Sequence, residues 1–179
     1  MNEAMVDIET LGTEPGCVIL SIGATMFDPR GQGHGDTFYC NIDVGSSLEA
    51  GFTFSESTLK WWGEQSRQAV DQLGSDNVAI HSALIAFDKW YRAQKPTKFW
   101  CQGLSFDVPI LEAAFKKFDM TPPWKFWTAR DTRTAYDVCG FNDKSVKREG
   151  TYHNALADSI HQVDCVQKAM IQFREKVVL

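Results

Sequence analysis

Three strand-like runs stand at the head of this chain before any helical periodicity appears, and that order constrains the fold most. Glu3 to Ile8 reads as a first strand centred on Met5 and Val6. Glu14-Pro15-Gly16 is a turn, and Val18 to Phe27 (VILSIGATMF) is a longer apolar run that reads as a second strand. After a glycine-rich turn from Gly31 to Gly35, Thr37 to Ile42 makes a third. Short connections favour antiparallel pairing, so the three predict a β-meander.

Helical spacing then takes over. A polar stretch from Val44 to Ser57 leads into Leu59 to Gln65. From Asn77 to Gln94, residues Ile80, Leu84, Phe87, Trp90 and Tyr91 recur at steps of three and four. Phe99 to Cys101 predicts a short strand and Val108 to Phe118 a helix. Asp131 is placed to cap a short helix over Thr132 to Cys139. Gly140 to Thr151 is polar, basic and bounded by glycine, which predicts a mobile loop. The last helix is expected from Asn154 to Lys176, with Leu156, Ile160, Val163, Val166, Met170 and Phe173 as its apolar stripe. The sum is an α/β protein: a mixed sheet that opens with an antiparallel three-stranded meander and is flanked by helices, in a single domain over 1–179.

The bulk numbers exclude several classes. At 179 residues and 44% apolar content, the chain can bury a core without metal or disulfide staples. No apolar run approaches membrane-spanning length, and Met1-Asn2-Glu3-Ala4 lacks the basic and apolar regions of a signal peptide. The five cysteines are odd in number and far apart, so neither structural zinc nor a disulfide framework is expected, and reduced thiols in a cytoplasmic protein are the plain reading. A net charge of −5 argues against a protein that simply coats DNA. Basic residues nevertheless gather between 116 and 148, where Arg130, Arg133, Lys144, Lys147 and Arg148 are candidate phosphate contacts, a solvated face being the alternative.

The acidic residues carry the chemistry. Asp7 and Glu9 are two apart on a strand, so they project to one face and repel each other unless a cation lies between them. Asp107 follows a strand where a helix begins; an N-cap role would also explain it. Between His153 and Asp158 five helical steps turn through roughly 500°, so the two do not share a helix face. His153 is therefore expected just before the last helix, with Asn154 as the cap, on a loop end free to swing, as a proton-transfer group requires. Each residue alone has a structural explanation. Four carboxylates and an imidazole together match a two-metal phosphodiester hydrolase, because carboxylate oxygens suit Mg²⁺ or Mn²⁺.

The ordered set Asp7-Ile8-Glu9, Phe106-Asp107 and His153-Asn154-Ala155-Leu156-Ala157-Asp158 resembles the DEDDh exonucleases, the histidine-bearing branch of the DnaQ-like, ribonuclease H-like superfamily. The resemblance spans Asp7 to Asp158. It is strongest to the short phage and bacterial exonucleases grouped with a mycobacterial 3′–5′ exoribonuclease, phage exonuclease A among them. Thr58-Leu59-Lys60-Trp61-Trp62-Gly63-Glu64-Gln65, Trp100-Cys101-Gln102-Gly103-Leu104-Ser105-Phe106-Asp107 and Arg130-Asp131-Thr132-Arg133-Thr134 are similar to segments of that subgroup. The proofreading branch carries Asn four residues before the second-motif Asp; here that residue is Gly103, which favours the stand-alone subgroup.

The resemblance implies a 3′–5′ exonuclease dependent on two divalent ions, Mg²⁺ or Mn²⁺, acting on single-stranded DNA or RNA 3′ ends, with DNA the favoured reading. It implies metal ligation by Asp7, Glu9, Asp107 and Asp158, with His153 as general base and nucleoside 5′-monophosphates as products. Thr10 and Leu11 are implied contacts to the terminal nucleotide, where the turn after the strand is expected to leave backbone N–H groups free. Trp61 and Trp62 are adjacent, so one is expected buried and one partly exposed, a stacking platform or plain core. Gln65, Phe106 and Arg130 complete the candidate substrate contacts. Relatives are often dimers, and a homodimer is compatible with this composition. Two other readings use the same residues: a catalytically silent nucleic-acid-binding module, and a ribonuclease H-like endonuclease.

Overall fold

The computed structural model of the chain describes residues 1–177. Its centre is a five-stranded sheet in the order β3-β2-β1-β4-β5. Strands β1 (Glu3–Thr10), β2 (Ile19–Phe27) and β3 (His34–Asn41) pair antiparallel, as the predicted meander. Strand β4 (Phe99–Cys101) lies parallel to β1, and β5 (Ala129–Asp131) parallel to β4. The three residues of β5 carry no readable period, so only the parallel pairing reveals them as a strand.

Seven α-helices surround the sheet among the described residues: α1 (Val44–Glu49), α2 (Glu56–Gly63), α3 (Arg67–Gln72), α4 (Ile80–Gln94), α5 (Leu104–Lys117), α6 (Thr132–Cys139) and α7 (Ala155–Val177). None of them is long and apolar enough to cross a membrane. Several bounds differ from the sequence reading for local reasons. The polar stretch after Ile42 folds as α1 because the Asp43 carboxylate accepts the Ser46 N–H at 2.6 Å. Helix α3 arises in the same way, Ser66 Oγ accepting the Ala69 N–H. Helix α4 starts at Ile80 rather than Asn77, since Val78 is taken up in a parallel bridge to Ile42. Helix α5 begins four residues earlier than expected and contains Pro109, whose missing donor strands only the carbonyl of exposed Ser105.

Strand alternation divides the core in two. Even-numbered β1 residues Val6 and Ile8 pack with Ile22, Ala24, Leu84, Phe87, Ile110 and Leu111 on one side of the sheet. Met5, Phe27 and Trp100 pack with Tyr136, Val163, Val166 and Ala169 on the other, beneath α6 and α7. Asp7 and Glu9 have the parity of Met5 and therefore face α7. All five cysteines are free, four of them buried.

Helix α7 presses onto the sheet with a different face from the one expected. Ala155, Ser159, Val163, Val166 and Ala169 are buried, Leu156 and Ile160 are only half-buried, and Phe173 is exposed. The cause is the shortness of the approach. Gly23 of β2 lies opposite Asp7, and a Cβ built on it would stand 2.2 Å from the backbone of Ala155 and Leu156. Ser159 Oγ donates to the Gly23 carbonyl at 3.1 Å and to the Ala155 carbonyl at 2.8 Å. Only small residues fit at that distance. Gly23→Ala is therefore expected to push the start of α7 off β2 and cost about 3 kcal/mol; an unchanged denaturation midpoint in urea would show that the contact is soft.

Candidate active site

The parallel strands β1 and β4 end at the same edge of the sheet, and α5 and α7 begin there. Such an edge is where open α/β sheets place their sites. Asp7, Glu9, Asp107, His153 and Asp158, drawn from three distant stretches, line one cleft together with Ile8, Gln102, Phe106, Arg133, Arg148, His161 and Gln162.

Each functional side chain has a local reason for its position. Asp107 is not the N-cap of α5. Gly103 holds that place at φ 130°, a conformation that L side chains rarely adopt, and a Cβ there would stand 3.0 Å from the Arg133 guanidinium. Capping falls to Asp131, as the sequence reading expected for α6. One of its oxygens accepts the Thr134 N–H at 3.2 Å, and the other reaches across to the Leu104 N–H of α5 at 2.7 Å. Asp107, 3% exposed, is thereby free to face Asp7.

His153 does precede α7, with Asn154 capping the helix through an acceptor bond to the Ala157 N–H at 3.0 Å. It is not a freely swinging loop end. Its backbone is left-handed at φ 59°, and Gln72 of α3 holds both sides of it. Gln72 Nε2 donates to Thr151 Oγ1 at 3.0 Å, and Asn154 Nδ2 donates to Gln72 Oε1 at 2.9 Å. The imidazole meets Trp61 and Trp62 edge-on, at ring-centre distances of 4.8 and 5.9 Å. Ligand atoms of Glu9, His153 and Asp158 lie within 4.8 Å of one another.

The electrostatics describe acids short of positive charge. Burial pushes Asp7 up to about 7, opposed by a hydrogen bond from Gln162 and by the nearby charge of Arg148. Burial, then the charges of Asp7 and Asp107, push Glu9 up to about 9. Burial and Asp7 raise Asp107 as well. The cleft supplies two cations, Arg133 and Arg148, the latter ion-paired with Asp158. Carboxylate oxygens from separate elements with too little compensating charge form a donor set for hard divalent cations. Burial and Arg148 lower His153 below its ordinary 6.5, which keeps the imidazole neutral near neutral pH and able to accept a proton.

A family described as the 3′–5′ exoribonuclease Rv2179c-like domain matches residues 2–170. The chain belongs to that family. It is a 3′–5′ exonuclease of the DnaQ-like class. An exodeoxyribonuclease of Enterobacteria phage T4 is 26% identical over 165 residues, covering 77% of this chain and 72% of the relative. A product-bound exonuclease I has the same fold at a TM-score of 0.63 and 11% identity, with 99% of this chain and 46% of that one covered. The chain thus spans under half the length of that enzyme. Pop2p of S. pombe, solved with Mg²⁺ and Mn²⁺, aligns at a TM-score of 0.58 and 11% identity over 99% of this chain and 84% of its own.

In this Rv2179c-like exonuclease the remaining candidate contacts separate into two groups. Thr10, Trp61, Trp62 and Phe106 line a second pocket that adjoins the first through Ile8 and Glu9. Trp62, 6% exposed, donates its indole N–H to the Thr10 carbonyl at 2.9 Å, while Trp61 is 41% exposed. Three others lie elsewhere. Leu11 turns into the core, its N–H donating to Val18 and its carbonyl accepting from Ser55, so neither of its own backbone groups is free. Gln65 donates to the Trp61 carbonyl and lines a separate pocket with Arg67 and Val70. Arg130 donates to the carbonyls of Trp127 and Ala129, beside Lys98 and Trp100 and outside the cleft.

Gln162 went unread in the sequence. Gln162 is 5% exposed and donates to Asp7 Oδ1 at 2.7 Å, fixing the orientation of that carboxylate. The available signal was spacing: positions three and four after Asp158 share its helix face.

Raised carboxyl pKa values have a defined sign in stability. The folded state binds protons more tightly than the unfolded one, so stability is greatest below the ordinary values of 3.8 and 4.5. It falls as pH rises towards about 7 for Asp7 and about 9 for Glu9. In EDTA the thermal midpoint is expected to drop between pH 5 and 9, and Glu9→Gln to flatten that slope. Mg²⁺ or Mn²⁺ should restore the midpoint more strongly at higher pH. Identical slopes for wild type and Glu9→Gln would remove the strain from this cleft.

Proposed function

We propose that this chain removes nucleotides one at a time from the 3′ ends of single strands or overhangs, in a reaction that requires two divalent ions and yields nucleoside 5′-monophosphates. The observation that carries the reading is the convergence of Asp7, Glu9, Asp107, Asp158 and His153 in one cleft at the strand ends. The four carboxylates are the ligands for Mg²⁺ or Mn²⁺, which when bound acidify a water and offset the charge of the phosphodiester. His153, kept neutral, accepts the proton of the attacking water, and its clamp by Gln72 holds the imidazole towards Glu9 and Asp158. Gln162 holds Asp7 in the ligating orientation. The terminal base stacks on Trp61, with Phe106 on the other wall of the adjoining pocket, and Arg133 faces the backbone phosphate.

DNA is the favoured substrate, on the likeness to a phage enzyme named for DNA; the family description names RNA, and both are to be compared. The intact set of acids and His153 favours this reading over a silent binding module.

The test uses 5′-labelled DNA and RNA strands of one sequence with Mg²⁺ or Mn²⁺. A ladder shortening from the 3′ end is expected. Asp7→Asn and Asp107→Asn should slow it by about a thousandfold, and His153→Ala by about a hundredfold or more. Cleavage of a circular single strand would replace the exonuclease with an endonuclease.

A further inference from the structure

Arg148 stands where a phosphate contact would be useful, yet its guanidinium is committed to a carboxylate of the metal-binding set. It pairs with Asp158, and both side chains are largely buried, at 16% and 14% exposure. The guanidinium also lies 4.3 Å over the Tyr152 ring, which gives it a flat seat at the mouth of the cleft. Asp158 is at the same time the member of the Glu9, His153, Asp158 group contributed by α7. The segment that carries Arg148, residues 140–151, has only the one turn of 3₁₀ helix at Asp143–Ser145 as regular structure. A guanidinium has five donors and no lone pair to offer a metal. It and a divalent ion would therefore compete for the Asp158 carboxylate.

We infer that Arg148 is a built-in competitor of the divalent ion at Asp158, and that the phosphate of the incoming strand draws it away. The inference rests on the metal-binding role proposed above for Asp158. Arg148 then exchanges one anionic partner for another: the Asp158 carboxylate before loading, the substrate phosphate after it. A planar fork suits both partners, which a lysine would not match. The consequence is coupling. Phosphate that engages Arg148 removes the competitor from Asp158 and tightens the ion, and by linkage the ion tightens phosphate by the same factor. The enzyme would hold its full metal complement chiefly when a strand end is present.

Calorimetric titration of Mn²⁺ into wild type, Arg148→Gln, Arg148→Lys and Asp158→Asn, each with and without thymidine 5′-monophosphate, tests this without reference to turnover. Arg148→Gln is expected to bind Mn²⁺ about tenfold more tightly than wild type in the absence of the nucleotide and to lose the nucleotide-induced tightening. Arg148→Lys should fall between the two. Equal Mn²⁺ affinity in wild type and Arg148→Gln overturns the inference while leaving the metal site intact. Weaker binding in Arg148→Gln also overturns it, because Arg148 would then be supporting the ligands. If Mn²⁺ binds wild type no better than Asp158→Asn, Asp158 is not a ligand, and the metal assignment falls together with the inference.

Discussion

The close approach of α7 to β2 at Gly23 is the contact on which the site depends. Asp7 lies directly across from Gly23, so the helix that touches the glycine backbone delivers its own first turn to the acids of β1. Any side chain at that position would hold α7 away and separate Asp158 from Glu9. The small residues Ala155, Ser159 and Ala169 on the buried face of α7 follow from the same geometry. Packing and the geometry of the cleft are therefore one constraint here: the glycine that admits the helix also sets Asp158 beside Glu9.

That closeness has an electrostatic cost. Bringing the carboxylates together in a half-dry cleft raises Asp7, Glu9 and Asp107 well above their ordinary values, since burial disfavours charge and the carboxylates repel one another. The surroundings are arranged around that strain and do not remove it. Gln162 steadies Asp7, Asp131 takes over capping so that Asp107 stays in the cleft, and Gln72 fixes the segment on either side of His153. Each is a neutral or remote group that orients another, and none of them adds positive charge to the cleft.

Local rules made much of this legible in the chain. Period-two runs announced the meander, period-three-and-four runs announced α4, α5 and α7, and Asp131 and Asn154 capped as their residue types suggest. The parity of Asp7 and Glu9 placed them on one face, and the Trp61–Trp62 pair divided into an exposed and a buried ring. What escaped were features without a local pattern. The strand β5 is three residues long, α1 and α3 are six-residue helices begun by caps, and Leu11, Gln65 and Arg130 turn away from the cleft because backbone partners or the core claim them.

The chain alone carried the candidates: acids and a histidine in an order that resembles a metal-dependent nuclease, on elements whose periods predict a mixed sheet with helices. The elements were legible because side-chain parity and helix capping depend on neighbours a few residues away. The tertiary structure decided which groups act together. That Gln72 holds Asn154 beside His153, that Gln162 holds Asp7 and that Arg148 pairs with Asp158 are contacts across 82, 155 and 10 positions of sequence respectively. Local rules act over three or four positions and reach none of these pairs; the partners meet where α7 is drawn down onto Gly23.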